Sequence, residues 1–184
     1  MSAQAQKIVQ RIPLPWAVAI TVAISLPFGL FLQQYNLPLW VSFIVWAEYF
    51  ALGANVSTIK LVGPGIPAGA LAAALWMATS TLVISLTGAP LLVGLLVGNF
   101  IWVTALLYAI PRYQALTQGT LAVFNGLSLF LAVYFTGSVP KIGPMDNAYW
   151  VVVLTFVWTV IAAYFGWFLG WLNLWLTFPK VEKT

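Results

Sequence analysis

The sequence predicts an all-α membrane protein: a polytopic bundle of six transmembrane helices forming one domain over residues 1–184. Three observations predict it. The 184 residues are 62% hydrophobic and only 5% charged, with a mean hydropathy of +1.00, whereas a soluble domain carries about 25% charged residues. Apolar runs of about 20 residues recur along the chain, each long enough to cross a hydrocarbon core of about 30 Å. The basic residues, finally, fall almost entirely on every second connection between those runs.

Residues 1–12 are a polar segment carrying Lys7 and Arg11. A full-length apolar run follows at once without a clean small-residue cleavage site, so a retained first helix is expected rather than a cleaved signal peptide. The first span covers 14–32, with a kink expected at Pro27. After the polar turn Gln33-Gln34-Tyr35-Asn36, the second span covers 38–54. Ser57, Lys60 and Gly63-Pro64-Gly65 form the next connection. The third span, 66–86, is rich in Ala and Gly, which lets a neighbouring helix approach closely.

Thr87-Gly88-Ala89-Pro90 is a tight turn into the fourth span, 91–110, where Gly94 and Gly98 have GxxxG spacing. Pro111-Arg112-Tyr113-Gln114 closes it. The fifth span covers 116–135, and the loop 137–147, with Lys141 and Asp146, reads as a solvated outer loop. The last apolar run is expected to cross over 148–172 and then turn along the interface, because Trp171, Trp175 and Pro179 cluster there. Residues 180–184 are a polar tail.

Charge orients the six spans. With both termini cytoplasmic, the inner side holds Lys7, Arg11, Lys60, Arg112, Lys180 and Lys183, and the outer side holds Lys141 alone. That asymmetry is the positive-inside pattern, and a count of five or seven spans breaks it. A bacterial cytoplasmic (inner) membrane is the expected location.

Composition also excludes chemistry. The chain has no Cys and no His, which removes thiolate nucleophiles, imidazole bases and Cys/His metal sites. Glu48, Asp146 and Glu182 are the only carboxylates, so a paired-carboxylate enzyme is hard to build. No Walker-type motif occurs. The expectation is a protein that is not an enzyme, with no cofactor, no metal and no nucleic-acid partner.

Glu48 is the main candidate. It lies about 15 Å along the second span from Pro38, near the midplane, where an ionised carboxylate costs about 2.5–3.5 kcal/mol or more. It must face the bundle, pair with a polar group or carry a proton. One reading is a solute or proton site; the other is a tie to a neighbouring helix. Asn99 and Asn125, beside Gly98 and Gly126, are the amides placed to share such a pathway or to tie helices together. Tyr49 and Trp46 flank Glu48 and are the aromatic candidates for its lining, with packing as the alternative.

Gly94/Gly98 and Gly166/Gly170 mark close helix contacts, within the chain or between copies. Gly63-Pro64-Gly65 could cradle an anion at a helix start or simply break the chain between two helices. Trp16, Trp40, Trp150 and Trp175 read as interface anchors.

Two spans end alike. Ala47-Glu48-Tyr49-Phe50 is followed by Gly53, Lys60 and Gly63-Pro64; Ala132-Val133-Tyr134-Phe135 is followed by Gly137, Lys141 and Gly143-Pro144. Three spans separate the copies, which fits a three-plus-three inverted repeat, with Val133 at the place of Glu48. Coincidence is the alternative, since Tyr-Phe and Gly-Pro are common at helix ends.

The segment Leu39-Trp40-Val41-Ser42-Phe43 leading to Trp46-Ala47-Glu48-Tyr49-Phe50-Ala51-Leu52-Gly53, then a short loop and the small-residue helix at 65–76, resembles the bacterial inner-membrane proteins of the domain-of-unknown-function 1097 family. Phe124-Asn125-Gly126 and Tyr134-Phe135 extend the likeness. The resemblance implies a small multi-span inner-membrane protein; it brings no substrate and no site residues. The expected function is a transporter or channel for a small polar solute or ion, with Glu48 near the pathway. A 20.1 kDa bundle is small for alternating access, so a homo-oligomer or partner membrane subunits are expected in the bilayer. Two alternatives stand. One is a substrate-binding subunit of a multi-component importer, similar in size and span number to the vitamin-binding components of energy-coupling-factor transporters, with Ala19/Ala23 as a docking face. The other is a structural accessory subunit of a membrane complex.

Overall fold

A computed structural model describes residues 10–178. Lys7, Lys180, Lys183 and Glu182 lie outside these residues, as do most of the polar N-terminal segment and the tail. The described chain is all-helical, with seven α-helices: α1 (Leu14–Leu30), α2 (Leu39–Ala51), α3 (Ile59–Thr87), α4 (Leu91–Ala109), α5 (Gln114–Gln118), α6 (Thr120–Thr136) and α7 (Ala148–Thr177). Three helical stretches, Val56–Thr87, Leu91–Arg112 and Ala148–Thr177, are long and apolar enough to cross a membrane; α1 and α6 are shorter apolar helices.

Prolines open several elements, because a missing N–H costs nothing where no intrahelical acceptor exists. Pro13, Pro38 and Pro90 stand immediately before α1, α2 and α4. Glycines in the left-handed region close others: Gly88 after α3 and Gly137 after α6. Pro27 is accommodated in the last turn of α1.

Four expected boundaries change. The second span ends at Ala51 rather than 54, because Gly53 at φ 103° and Ala54 at φ 53° leave right-handed helical space. The third begins at Ile59, and Gly63-Pro64-Gly65 lies inside it. Pro67 removes the N–H that would bond the Gly63 carbonyl four residues back, and the Tyr164 hydroxyl takes that place, donating to Gly63 O at 2.9 Å. The fifth span is split at Gly119 into α5 and α6. The last helix does not turn at 172 but runs straight through to Thr177. Its final turns are buried at Asn173 and Thr177, with Thr177 Oγ1 donating to Asn173 O at 2.8 Å. No Gly or Pro stands between 171 and 178 to end it.

Contacts fix the relative directions. Thr21 faces Asn173 and Phe28 packs on Phe165, so α1 is antiparallel to α7. Ser42 Oγ donates to Ala162 O at 2.8 Å and Tyr49 lies on Gly170, so α2 runs parallel to α7. Trp167 bonds Thr58 while Tyr164 bonds Gly63, so α3 is antiparallel to α7. Gly65 meets Ala122 and Gly69 meets Val123 and Leu127, so α6 runs parallel to α3. Gly94 meets Ser80 and Gly98 meets Trp76, so α4 is antiparallel to α3. Hence α1, α3 and α6 start at the end where α2, α4 and α7 finish. Arg11, Lys60 and Arg112 are exposed at that end and Lys141 at the other.

Helices α2, α3, α6 and α7 enclose the core, in which Val41, Val45, Val62, Ile66, Leu129 and Val133 form one buried cluster. The outer helices dock by narrow stripes: α1 buries only Ala17, Thr21 and Ser25, one turn apart, and α4 only Gly94, Gly98 and Leu106.

Candidate functional site

Helix α2 carries the buried carboxyl of the described residues, Glu48. Its buried positions include Val41, Val45 and Glu48 on the side of the core and Tyr49 toward α7. Helix α6 comes close through small residues: a side chain at Gly126 would collide with the backbone of Ile66 on α3, and one at Gly65 would come within 2.6 Å of Ala122 Cβ. This seats α6 deep enough for Asn125, half-buried beside Gly126, to reach α2.

Asn125 Nδ2 donates to Glu48 Oε2 at 2.8 Å. Glu48 is 3% exposed, and its second oxygen, Oε1, is buried without a partner. A bare polar atom in an apolar interior costs about 1–3 kcal/mol, more if charged. The carboxyl is therefore held on one side and left open on the other.

Glu48 sits in the last turn of α2, whose Leu52 N–H closes on the Glu48 carbonyl. Helix α2 has only 13 residues, about 20 Å of helix, so Glu48 lies about 15 Å from its start at Pro38 and close to its end. Of the two candidate amides, Asn125 is brought to Glu48. Asn99 is half-buried on α4, which packs along α3, and is not a partner of the carboxyl.

Tyr49 turns away from Glu48: its ring packs on Gly170, where a Cβ would lie 2.7 Å from Tyr49 Cδ1, and meets Trp167 edge-on at 6.1 Å. Trp46 is buried against Phe43. Its indole N–H, like Glu48 Oε1, is buried and unpartnered, whereas the indoles of Trp76, Trp102, Trp150, Trp158 and Trp167 each donate to a protein oxygen.

Both glycine pairs serve contacts within the chain. Gly94 and Gly98 receive Ser80, Ile84 and Trp76 of α3; Gly166 and Gly170 receive Ser42 and Tyr49 of α2. The Gly63-Pro64-Gly65 cradle does not form, since these residues are helical. Of the expected anchors, Trp16 and Trp175 are exposed, and Arg11 lies 5.7 Å over the Trp175 ring. Trp40 and Trp150 are half-buried, Trp40 against the core and Trp150 bonded to Ile142 O at 2.8 Å.

At the other end of α2 a cleft of about 640 Å³ opens between the α1–α2 connection and the loop after α6. Gln33, Gln34, Trp40, Ser138 and Lys141 line it. Sequence reasoning placed Gln33, Gln34, Ser138 and Lys141 in polar connections and Trp40 at the interface, and missed the cleft, which exists only because two loops distant in sequence face each other. Between cleft and carboxyl lie Val41 and Val45 of α2 with Leu129 and Val133 of α6, part of one apolar cluster. Among the described residues no cluster of acidic, His or Cys side chains could hold a metal.

Comparison with curated proteins and with solved structures finds no match. The sequence pattern of one family, described as protein of unknown function (DUF1097), matches residues 17–177, from the first helix to the end of α7. The stretch includes Glu48, Asn125 and all four packing glycines. The chain therefore belongs to the DUF1097 family.

Proposed function

We propose that this protein is a six-span transporter or channel for a small polar solute or ion, its pathway following the seam between α2 and α6. The observation that carries the reading is the Glu48–Asn125 hydrogen bond of 2.8 Å. It ties the two helices at the end opposite an open cleft, with one carboxyl oxygen still unpartnered. In this reading the cleft is the outer vestibule, Val41, Val45, Leu129 and Val133 form an apolar plug, and Glu48 with Asn125 closes the inner end. The chain carries out no covalent chemistry. It sits in a bacterial inner membrane with Arg11, Lys60 and Arg112 on the cytoplasmic side, as a homo-oligomer or beside partner subunits.

In this reading α1–α2–α3 and α4–α6–α7 form an inverted repeat, and the matching contacts of the two halves support it. Helix α2 packs on α7 through Ser42 against Gly166, and α6 packs on α3 through Gly126 against Ile66. The outer helices α1 and α4 dock on α7 and α3 in turn. The two C-termini share one cap, with Ala54 N–H bonding Tyr49 O and Ser138 N–H bonding Val133 O. This register pairs Tyr49 with Val133, so Glu48 corresponds to Ala132 rather than to Val133. The repeat makes the carboxyl single and asymmetric.

The tight burial of Glu48 favours a second reading, a structural tie in an accessory subunit. Solute flux in proteoliposomes separates the two, comparing native protein with Glu48→Gln. The amide keeps an acceptor for Asn125 but loses the ionisable group. Transport predicts flux in the native protein and its loss in the variant at unchanged unfolding midpoint. If native protein moves no small ion or polar solute and the variant alters only thermal stability, the tie is the function of Glu48.

A further inference from the structure

The cleft has a built floor and an unused polar rim. Leu37, Trp40 and Val139 pack against the buried cluster of the core, which holds the floor in place. The α1–α2 connection above it is pinned at three points. Asn36 Oδ1 accepts from Leu32 N at 2.8 Å, Leu37 N donates to Phe28 O at 2.8 Å, and Trp158 Nε1 donates to Asn36 O at 3.1 Å. These bonds occupy the backbone and leave the Gln33 and Gln34 side chains on the rim.

Across the cleft stands Lys141, the cation at this end of the described chain. No carboxylate of the described residues lines the cleft; Lys141 shares the lining with the amide residues Gln33, Gln34 and Asn36 and with apolar side chains. A concave, mostly apolar site of several hundred Å³ with a few convergent polar groups is the usual form of a small-molecule site. An ammonium beside amide donors selects an anionic oxygen group.

We infer that this cleft binds a small amphipathic organic anion, its carboxylate held by Lys141 with Gln33 or Gln34 and its apolar body on Leu37, Trp40 and Val139. The inference rests on the proposed transport only in making the cleft the solute's point of entry; binding itself is measured without flux. The same anionic chemistry could come from a free solute or from an anionic lipid headgroup.

The test is isothermal titration of the full chain in phosphatidylcholine nanodiscs with benzoate, benzamide and benzylammonium. Benzoate binds tightest. Lys141→Gln weakens benzoate about tenfold, the size of one lost charged hydrogen bond, leaves benzamide unchanged and keeps the native unfolding midpoint; Lys141→Arg restores benzoate. Equal binding of benzoate and benzamide, or a benzoate affinity indifferent to Lys141→Gln, overturns the inference. Repeating the titration with phosphatidylglycerol separates the sources. Loss of benzoate binding there assigns the anion site to a lipid headgroup, and retention assigns it to a free solute. Benzoate binding without any flux keeps the cleft and removes the transport reading. Flux that depends on Glu48 without benzoate binding removes the cleft alone.

Discussion

Asn125→Val withdraws the donor from Glu48 and introduces no new polar group. The carboxyl then has two bare oxygens in place of one, in a side chain that is 3% exposed. A neutral hydrogen bond contributes about 1 kcal/mol net, and one to a charged group about 1.5–3 kcal/mol. Pairs within membrane helices average about 0.6 kcal/mol and reach about 1.7. With a 2.8 Å bond inside a close helix contact, the upper part of that range applies, and Asn125→Val should cost about 1–2 kcal/mol. Glu48→Met removes the acceptor while keeping volume. In that background Asn125→Val should cost close to nothing, since the valine no longer strands a carboxyl. A double-mutant cycle on reversible unfolding in lipid–detergent micelles reads the difference directly. Additivity within about 0.3 kcal/mol would refute the claim that this bond ties α2 to α6.

Tyr164→Phe should destabilise by about 1 kcal/mol, because the Gly63 carbonyl freed by Pro67 loses its donor. In a Pro67→Ala background the same change should cost less, since the substituted alanine restores an N–H to that carbonyl; equal costs on the same unfolding assay would break the assignment. Gly126→Ala should lower the unfolding midpoint sharply, because its Cβ meets the Ile66 backbone, which cannot rotate away. Gly137→Ala, open to solvent but held at φ 63°, should cost only about 1–2 kcal/mol of backbone strain, and Gly137→Asn less. Ser42→Ala should destabilise by about 1 kcal/mol through loss of its buried bond to Ala162 O.

By itself the sequence determined that the chain is helical and apolar, where most helices lie, and that Glu48 is the carboxyl a bundle must accommodate. These follow from hydropathy, charge placement and breakers such as Gly88, Pro90 and Gly137, which are properties read along one dimension. Tertiary structure decided what neighbouring segments do for one another. Gly63-Pro64-Gly65 looks like a break, yet the helix continues because Tyr164, a hundred residues on, satisfies the carbonyl that Pro67 strands. Asn99 and Asn125 are equivalent in sequence, both beside a glycine in an apolar run. Only the close seat of α6 on α3, set by Gly65, Gly69 and Gly126, carries Asn125 to Glu48, while α4 keeps Asn99 on the far side of α3. The cleft at Lys141 and the bare oxygen of Glu48 are likewise products of packing. Two loops must meet before a concave surface exists, and a carboxyl must be enclosed before its missing partner means anything.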